Sequence, residues 1–210
     1  MSGRPDLAGL PVNLLVRGRR VVVIGGGRIA ARKVASLLEL GAKVEVVALL
    51  VSEEVRGWAA RGDLVVHERA FAPSDIDGAW LAFAATDDPA VNAEVHAAAE
   101  AARVWVNSAD DPLNCAFTLM SVVRRGDLVV SVGTGGRSPA LAAYLRRQLE
   151  DELAEYDTLL DLLSEARERR RASGRSSEDA DRQRAFDEGI VELVRAGRID
   201  DAKELLNTCL

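Results

Sequence analysis

Arg20-Val21-Val22-Val23-Ile24-Gly25-Gly26-Gly27-Arg28-Ile29-Ala30-Ala31-Arg32-Lys33 is the stretch that decides the fold. Val21 to Ile24 is an unbroken β-branched run, the pattern of a strand buried on both faces. Three glycines break it, and Arg28 to Leu40 then carries the apolar spacing of a helix. Gly25, Gly27 and Ala30 occupy the three positions of a G-x-G-x-x-A fingerprint. The first glycine permits a tight turn, the second lets a pyrophosphate approach the backbone, and the small third residue keeps the helix close to its strand. The amides at the helix start, Arg28 and Ile29 first among them, favour the charge of a phosphate. The bland alternative is a glycine-rich strand–helix turn. Strand, turn and amphipathic helix in the right order favour a dinucleotide site.

Working outward, Leu10 to Val16 is expected to form a short edge strand, with Pro11 at its start. Gly41 caps the first helix, and Lys43 to Leu50 forms the second strand. Ser52 is placed to cap a short helix that ends near Arg61. Leu64 to His67, Ala79 to Ala84 and Val104 to Asn107 are the third, fourth and fifth strands, with a helix over Pro89 to Ala102 before the last. This alternation predicts an α/β fold, a Rossmann-like doubly wound parallel sheet.

Ligands of such sheets collect beyond the carboxyl ends of the strands. The candidate cofactor contacts are therefore Gly25, Gly27, Arg28 and Ile29 after the first strand, Ala48 at the end of the second, Thr86 and Asp87 after the fourth, and Asn107 at the end of the fifth. An acid to bind the adenine ribose would stand near Val47. The segment Val46 to Leu50 has none, and it has no arginine for a 2′-phosphate either. Asp110 lies beyond the fifth strand, where a general base could sit, although Asp110-Asp111-Pro112 could equally be only a turn.

After Pro112 the rhythm changes. Ala116 to Val123 and Asp127 to Val132 read as a hairpin turning at Arg124-Arg125-Gly126, followed by Gly133-Thr134-Gly135-Gly136-Arg137-Ser138-Pro139 and a helix from Ala140. The loop is either a flexible connection before a helix capped by Ser138, or a backbone nest that with Arg137 suits anionic groups. A hairpin and one helix cannot bury their own apolar faces, so they must pack on the first domain or on a second chain. The expected division is residues 1–115, 116–150 and 151–210: a dinucleotide-binding domain, a small α+β dimerisation region and a C-terminal helical domain. The last has a polar loop over Ser173 to Asp181 and one or two helices from Phe186 on.

Composition limits the function classes. Apolar residues make up 48% of the 210, ample for a packed core. No run is long enough to span a bilayer, and Met1 to Asp6 lacks the apolar core of a signal peptide, so a cytoplasmic location is expected. The net charge is −6, and from Glu150 onward 17 acidic side chains face 10 basic ones. No clustered basic face suggests nucleic acid. Cys115 and Cys209 make no disulfide framework, and His67 and His96 have no partner at ligand spacing, so no metal site is expected.

Taken together, these pieces closely resemble the siroheme-synthase N-terminal family, the precorrin-2 dehydrogenases. The likeness is carried by Leu10-Pro11-Val12, Arg17 to Gly27, Ala31-Arg32-Lys33 and Leu40-Gly41-Ala42. It continues through Ala84 to Asp88 with Val91-Asn92, Val106-Asn107, Asp110-Asp111-Pro112, Phe117 and Gly135 to Ala140. The resemblance implies NAD-dependent oxidation of precorrin-2 to sirohydrochlorin, within siroheme or cobalamin synthesis. It implies Asp110 as the catalytic residue, Thr134, Gly135, Gly136, Arg137 and Ser138 at the tetrapyrrole, and a homodimer built through residues 116–150. A substrate with eight carboxylates makes Arg124, Arg125, Arg137 and Arg146 candidate contacts. Two alternatives are an enzyme that also inserts ferrous iron, a sirohydrochlorin ferrochelatase, and a non-catalytic nucleotide-sensing module. The sensor leaves Asn107 to Pro112 and Thr134 to Pro139 without a role.

Overall fold

The computed structural model describes residues 9–109, 111, 114–174 and 182–209. The candidate base Asp110 and residues 175–181 of the expected polar loop lie outside the described residues. The chain separates into two compact units, with the division after Leu119.

The first unit is a five-stranded parallel sheet. Its strands are β1 (Arg20–Ile24), β2 (Lys43–Ala48), β3 (Val65–Glu68), β4 (Leu81–Ala84) and β5 (Trp105–Ser108), in the order β3-β2-β1-β4-β5. The order reverses between β1 and β4, which opens a crevice at their carboxyl ends. Its helices are α1 (Arg28–Glu39), α2 (Glu53–Ala60) and α3 (Pro89–Ala102), with a single 3-10 turn at Pro73–Ile76.

Strand alternation sends the side chains to two cores. Val21, Val23, Val44, Val46 and Phe83 pack with Val34 of α1 and Val55 of α2. Val22, Ile24, Val47, Ala82 and Val106 pack with Ile76 and with Val95 of α3. Burying one such aliphatic side chain contributes about 2 kcal/mol, and the run from Val21 to Ile24 serves both cores at once. Both faces of the sheet are therefore covered, as the continuous apolar strands require.

The helix ends follow the local chemistry. Ser52 Oγ accepts from Val55 N, and Asp88 accepts from Ala90 N at 2.8 Å with Pro89 in the first turn. Gly41, at φ +73°, closes α1 by donating to the Leu38 carbonyl. Helix α3 closes instead on Arg103 at φ 56°, a left-handed position held by a residue with a side chain.

An ion network ties the amino ends of the strands. Arg20 clasps both carboxylate oxygens of Glu45 at 2.8 Å and donates to the carbonyls of Asp75 and Asp77. His67 Nε2 lies 3.6 Å from Glu45, and the buried Asp75 is paired with Arg69.

The second unit begins with the antiparallel hairpin of β6 (Ser121–Arg125) and β7 (Leu128–Val132). Its two-residue turn is Gly126-Asp127, with only Gly126 at positive φ, the backbone of a type II′ hairpin. Helix α4 (Pro139–Glu152) follows, then α5 (Tyr156–Ala172), α6 (Arg182–Asp187), α7 (Ile190–Arg195) and α8 (Ile199–Cys209). The last four enclose their own core of Leu159, Leu162, Ile190, Val194 and Leu206.

Three expectations differ from the structure. Leu10 to Val16 forms no strand: Leu10, Val12 and Leu15 are exposed, and Leu14 and Val16 pack on the first core without joining the ladder. The first hairpin strand starts at Ser121, because residues 116–120 do not join the ladder. In the C-terminal segment α7 and α8 are the expected pair broken at Gly197, but an additional helix, α6, precedes them and ends before Gly189, at φ +86°.

Candidate dinucleotide site

The carboxyl edge of the sheet gathers the candidate cofactor residues of the first unit. The Gly25 amide still extends the sheet, donating to the Val47 carbonyl at 2.9 Å. Gly25 then turns at φ +113°, and a Cβ there would overlap the Ala85 carbonyl. Gly26 is equally confined, since its Cβ would overlap the Leu50 carbonyl and press on Val51. Sequence reasoning left that middle glycine unassigned, although the Gly-Gly-Gly run was its signal.

Gly27 differs from both. Its φ of −79° suits any residue, and a Cβ there would meet nothing within 4 Å. As N-cap of α1 it supplies no capping side chain, and no acid stands in the first turn. The opening amides of α1 therefore face a space kept clear by a missing side chain. That combination fits a pyrophosphate, because it joins unpaired donors, the positive end of the helix dipole and room for close approach.

Across the crevice, a buried amide fixes the turn after β4. Asn92 Oδ1 accepts from Thr86 N at 3.2 Å and from Thr86 Oγ1 at 2.8 Å, while its Nδ2 donates to Thr86 O at 3.0 Å. Thr86 is thus tied down, and Asp87 beside it is exposed. Asn92 was not singled out as a site residue from the sequence, yet it shapes the Ala85–Asp88 turn. Ala48 closes β2 and is buried, followed by Leu49 and Leu50, which are 72% and 80% exposed. An adenosine bound over this edge would meet apolar side chains beside neutral backbone.

On β5, Asn107 is 7% exposed. Its Oδ1 accepts from Lys33 Nζ at 2.9 Å, and its Nδ2 donates to the Phe117 carbonyl at 3.0 Å. Lys33 Nζ also lies 5.1 Å from the centre of the Phe83 ring, which meets Phe117 edge-on at 5.6 Å. Cys115 Sγ accepts from Ser108 N at 3.2 Å and lies 3.2 Å from the Asp111 carbonyl. Burial pushes the Cys115 thiol above its ordinary pKa, with nearby Asp111 adding to the shift. The Ser108 hydroxyl is buried with no partner.

The glycine-rich loop at 133–138 belongs to the second unit. Gly135 and Gly136 are consecutive left-handed residues, at φ +57° and +71°. Thr134 Oγ1 accepts from Ser138 N at 3.2 Å, Arg137 N donates to the Thr134 carbonyl, and Ser138 Oγ caps α4 by accepting from Leu141 N. The Arg137 side chain is exposed. Arg125 donates to the Glu150 carbonyl and Arg146 to the Glu150 carboxylate at 2.6 Å, so both of these arginines are engaged within their own unit. Among the described residues no group of three His, Cys, Asp or Glu side chains converges in a metal-binding arrangement. None of the described helices is long and apolar enough to cross a membrane.

Comparison with known proteins agrees with this geometry. Residues 12–121 match the family described as putative NAD(P)-binding, and residues 125–152 match that described as sirohaem biosynthesis protein central. A siroheme synthase of Nitrosococcus oceani is 36% identical over 204 residues, covering 96% of this chain and 44% of that protein. One from Citrobacter koseri is 44% identical over 147 residues, 70% of this chain and 32% of its own length. The chain thus spans less than half the length of these relatives. The solved structure of SirC, a precorrin-2 dehydrogenase, superposes with a TM-score of 0.75 at 26% identity, covering 95% of this chain and all of that one. The chain thus belongs to the family described as putative NAD(P)-binding, and it is similar to the siroheme synthases and to a precorrin-2 dehydrogenase.

Proposed function

We propose that the protein oxidises precorrin-2 to sirohydrochlorin with NAD as hydride acceptor. The observation that carries this reading is the likeness to the precorrin-2 dehydrogenase SirC over nearly the whole of both chains, in a chain whose Gly27 cradle fits a dinucleotide. The dinucleotide, when bound, accepts the hydride. The protein's own share is positional and acid–base. The α1 amides hold the pyrophosphate, and the Asn92-braced turn forms the opposite wall of the crevice. Asp110, just beyond β5, takes the proton that leaves the macrocycle as the hydride departs, so hydride and proton together account for one unit of dehydrogenation. Thr134 to Ser138 bind substrate carboxylates through the amides of Gly135 and Gly136 and the free-standing Arg137 guanidinium.

NAD is preferred to NADP because Ala48, Leu49 and Leu50 give a 2′-phosphate no cation where β2 ends. A homodimer forms through the outer face of the hairpin and α4, where Val122, Val129, Leu141 and Tyr144 are 40–50% exposed. A cytoplasmic location goes with this reading.

The direct test supplies precorrin-2 with NAD or with NADP and follows reduced-nicotinamide absorbance together with the spectrum of the tetrapyrrole. Reduction with NAD, and at least tenfold slower reduction with NADP, is expected. No reduction with either dinucleotide would overturn the assigned reaction.

A further inference from the structure

Lys33 and Asn107 stand 74 positions apart, yet Lys33 Nζ reaches the Asn107 amide oxygen at 2.9 Å. Lys33 rides on α1, two turns from the cradle at Gly27, and Asn107 lies in β5. The same amide holds the Phe117 carbonyl with its nitrogen, so it is committed on both sides. Next to Phe117, Ala116 N donates to the Val106 carbonyl of β5 at 2.8 Å.

Both neighbours of Asp110 are fixed. Ala109 N donates to the Ala84 carbonyl at 2.8 Å, and the Asp111 carbonyl lies 3.2 Å from Cys115 Sγ. Asp111 also accepts from the Asn114 side chain and from Asn114 N. Asn107, Ala109, Asp111, Cys115 and Phe117 are thus each held by a hydrogen bond, and Lys33 brings a charged donor to them from α1. Its ammonium is half-buried over the Phe83 ring, where a charge-assisted hydrogen bond gains from the low local polarity.

We infer that the Lys33–Asn107 pair is a positioning device, which ties the end of β5 and, through Asn107, the Cys115–Phe117 stretch to α1, and thereby sets the reacting geometry. The inference rests on the proposed reaction, in which Asp110 is the base. Lys33 and Asn107 are positioning residues here: they act through the segment they hold. A displacement of about 1 Å at a reacting group can cost on the order of a hundredfold in rate, which is why a clamp outside the chemistry matters. Loosening it leaves the Gly25–Ala30 turn alone, so dinucleotide affinity and turnover should separate.

Cys115 makes the inference testable without turnover, because its thiol lies inside the clamped segment and bonds both flanks of it. In full-length protein carrying Cys209→Ser, the rate at which Cys115 reacts with an aromatic disulfide reagent reads the order of the segment. Lys33→Met removes the ammonium and keeps most of the stem. It is expected to speed Cys115 labelling at least tenfold, to lower kcat for precorrin-2 at least tenfold, and to leave KM and the NAD dissociation constant within threefold. Lys33→Arg, which keeps a charged donor, should recover most of both losses. Should Lys33→Met not fold by circular dichroism, Asn107→Asp serves instead: it keeps the acceptor for Lys33, loses the donor to Phe117, and is expected to speed labelling. Unchanged labelling in a folded variant would overturn the clamp. Faster labelling with unchanged kcat would overturn its role in the reaction. If the unmodified protein proves inactive on precorrin-2 while labelling still responds to Lys33, the clamp stands and the assigned reaction falls.

Discussion

Gly25 backs directly onto Ala85: the α-carbon of the first glycine in the turn lies so close to the Ala85 carbonyl that no Cβ fits between them. Gly27, two residues on, faces open space. The two glycines therefore fail differently when replaced. Gly25→Ala must accept φ +113° and displace β4's continuation, a destabilisation of about 3 kcal/mol or more. Gly27→Val should cost no more than about 1 kcal/mol, because its φ is ordinary and its surroundings are empty. NAD affinity should nonetheless fall at least tenfold in Gly27→Val. Thermal denaturation with and without NAD, alongside a titration, checks both halves. Undiminished affinity in folded Gly27→Val would place the cofactor elsewhere.

Asp110→Asn tests the proposed base. The amide keeps the size of the side chain and removes its basic oxygen. Loss of a general base costs about a hundredfold or more in rate, so kcat should drop by at least that factor with NAD binding retained. Turnover within a few-fold of normal would move the role to Asp111, whose carboxylate already holds the Asn114 side chain.

Acid should weaken the first unit through the network at the amino ends of the strands. The hydrogen bond from Arg20 holds the Glu45 carboxyl below its ordinary value of 4.5, and that from Arg69 holds Asp75 below 3.8. A depressed folded-state pKa gives stability that is complete above the unfolded value and disappears as pH falls through the folded one. The melting temperature should therefore be insensitive to these groups near neutrality and should decline below about pH 4.5. Glu45→Gln should lower it by about 2–4 °C at pH 7, the equivalent of about 1 kcal/mol for a partly exposed bidentate pair. The difference between variant and parent should shrink in acid. A constant difference down to pH 3 would mean that Glu45 acts by packing alone.

Val129→Asp tests the proposed dimer. Val129 is 40% exposed and alternates along β7 with the less exposed Leu128 and Val130, so the monomer fold should survive the change. A charge buried at the centre of a self-complementary contact should weaken association at least tenfold. Sedimentation velocity across a concentration series measures it. Identical profiles for parent and variant would remove the hairpin face from the interface.

The sheet was legible because buried parallel strands advertise themselves: Val21 to Ile24 has no polar residue to confuse its reading, and Ser52, Asp88, Gly41 and Ser138 mark helix ends by chemistry local to a few residues. Leu10 to Val16 misled because an apolar run says nothing about whether a sheet edge is there to receive it. The cradle at Gly27 was legible from spacing alone. The confinement of Gly26 was not, since it comes from Leu50, a loop away. Lys33 with Asn107, and Thr86 with Asn92, are contacts made by topology and a turn, and no periodicity or motif spacing encodes such a pairing. Asp75 carries no local signal of burial, which goes with its pairing to Arg69 six residues earlier.

The left-handed end of α3 has a consequence for engineering. Arg103 holds a conformation that costs a side-chain-bearing residue about 1 kcal/mol more than glycine, at the amino edge of the sheet and away from the crevice. Arg103→Gly should raise the melting temperature and leave catalysis untouched. Such a gain in thermal tolerance could offset the loss from Gly27 or Lys33 substitutions, so that weakened binding or turnover is measured in a protein that remains folded.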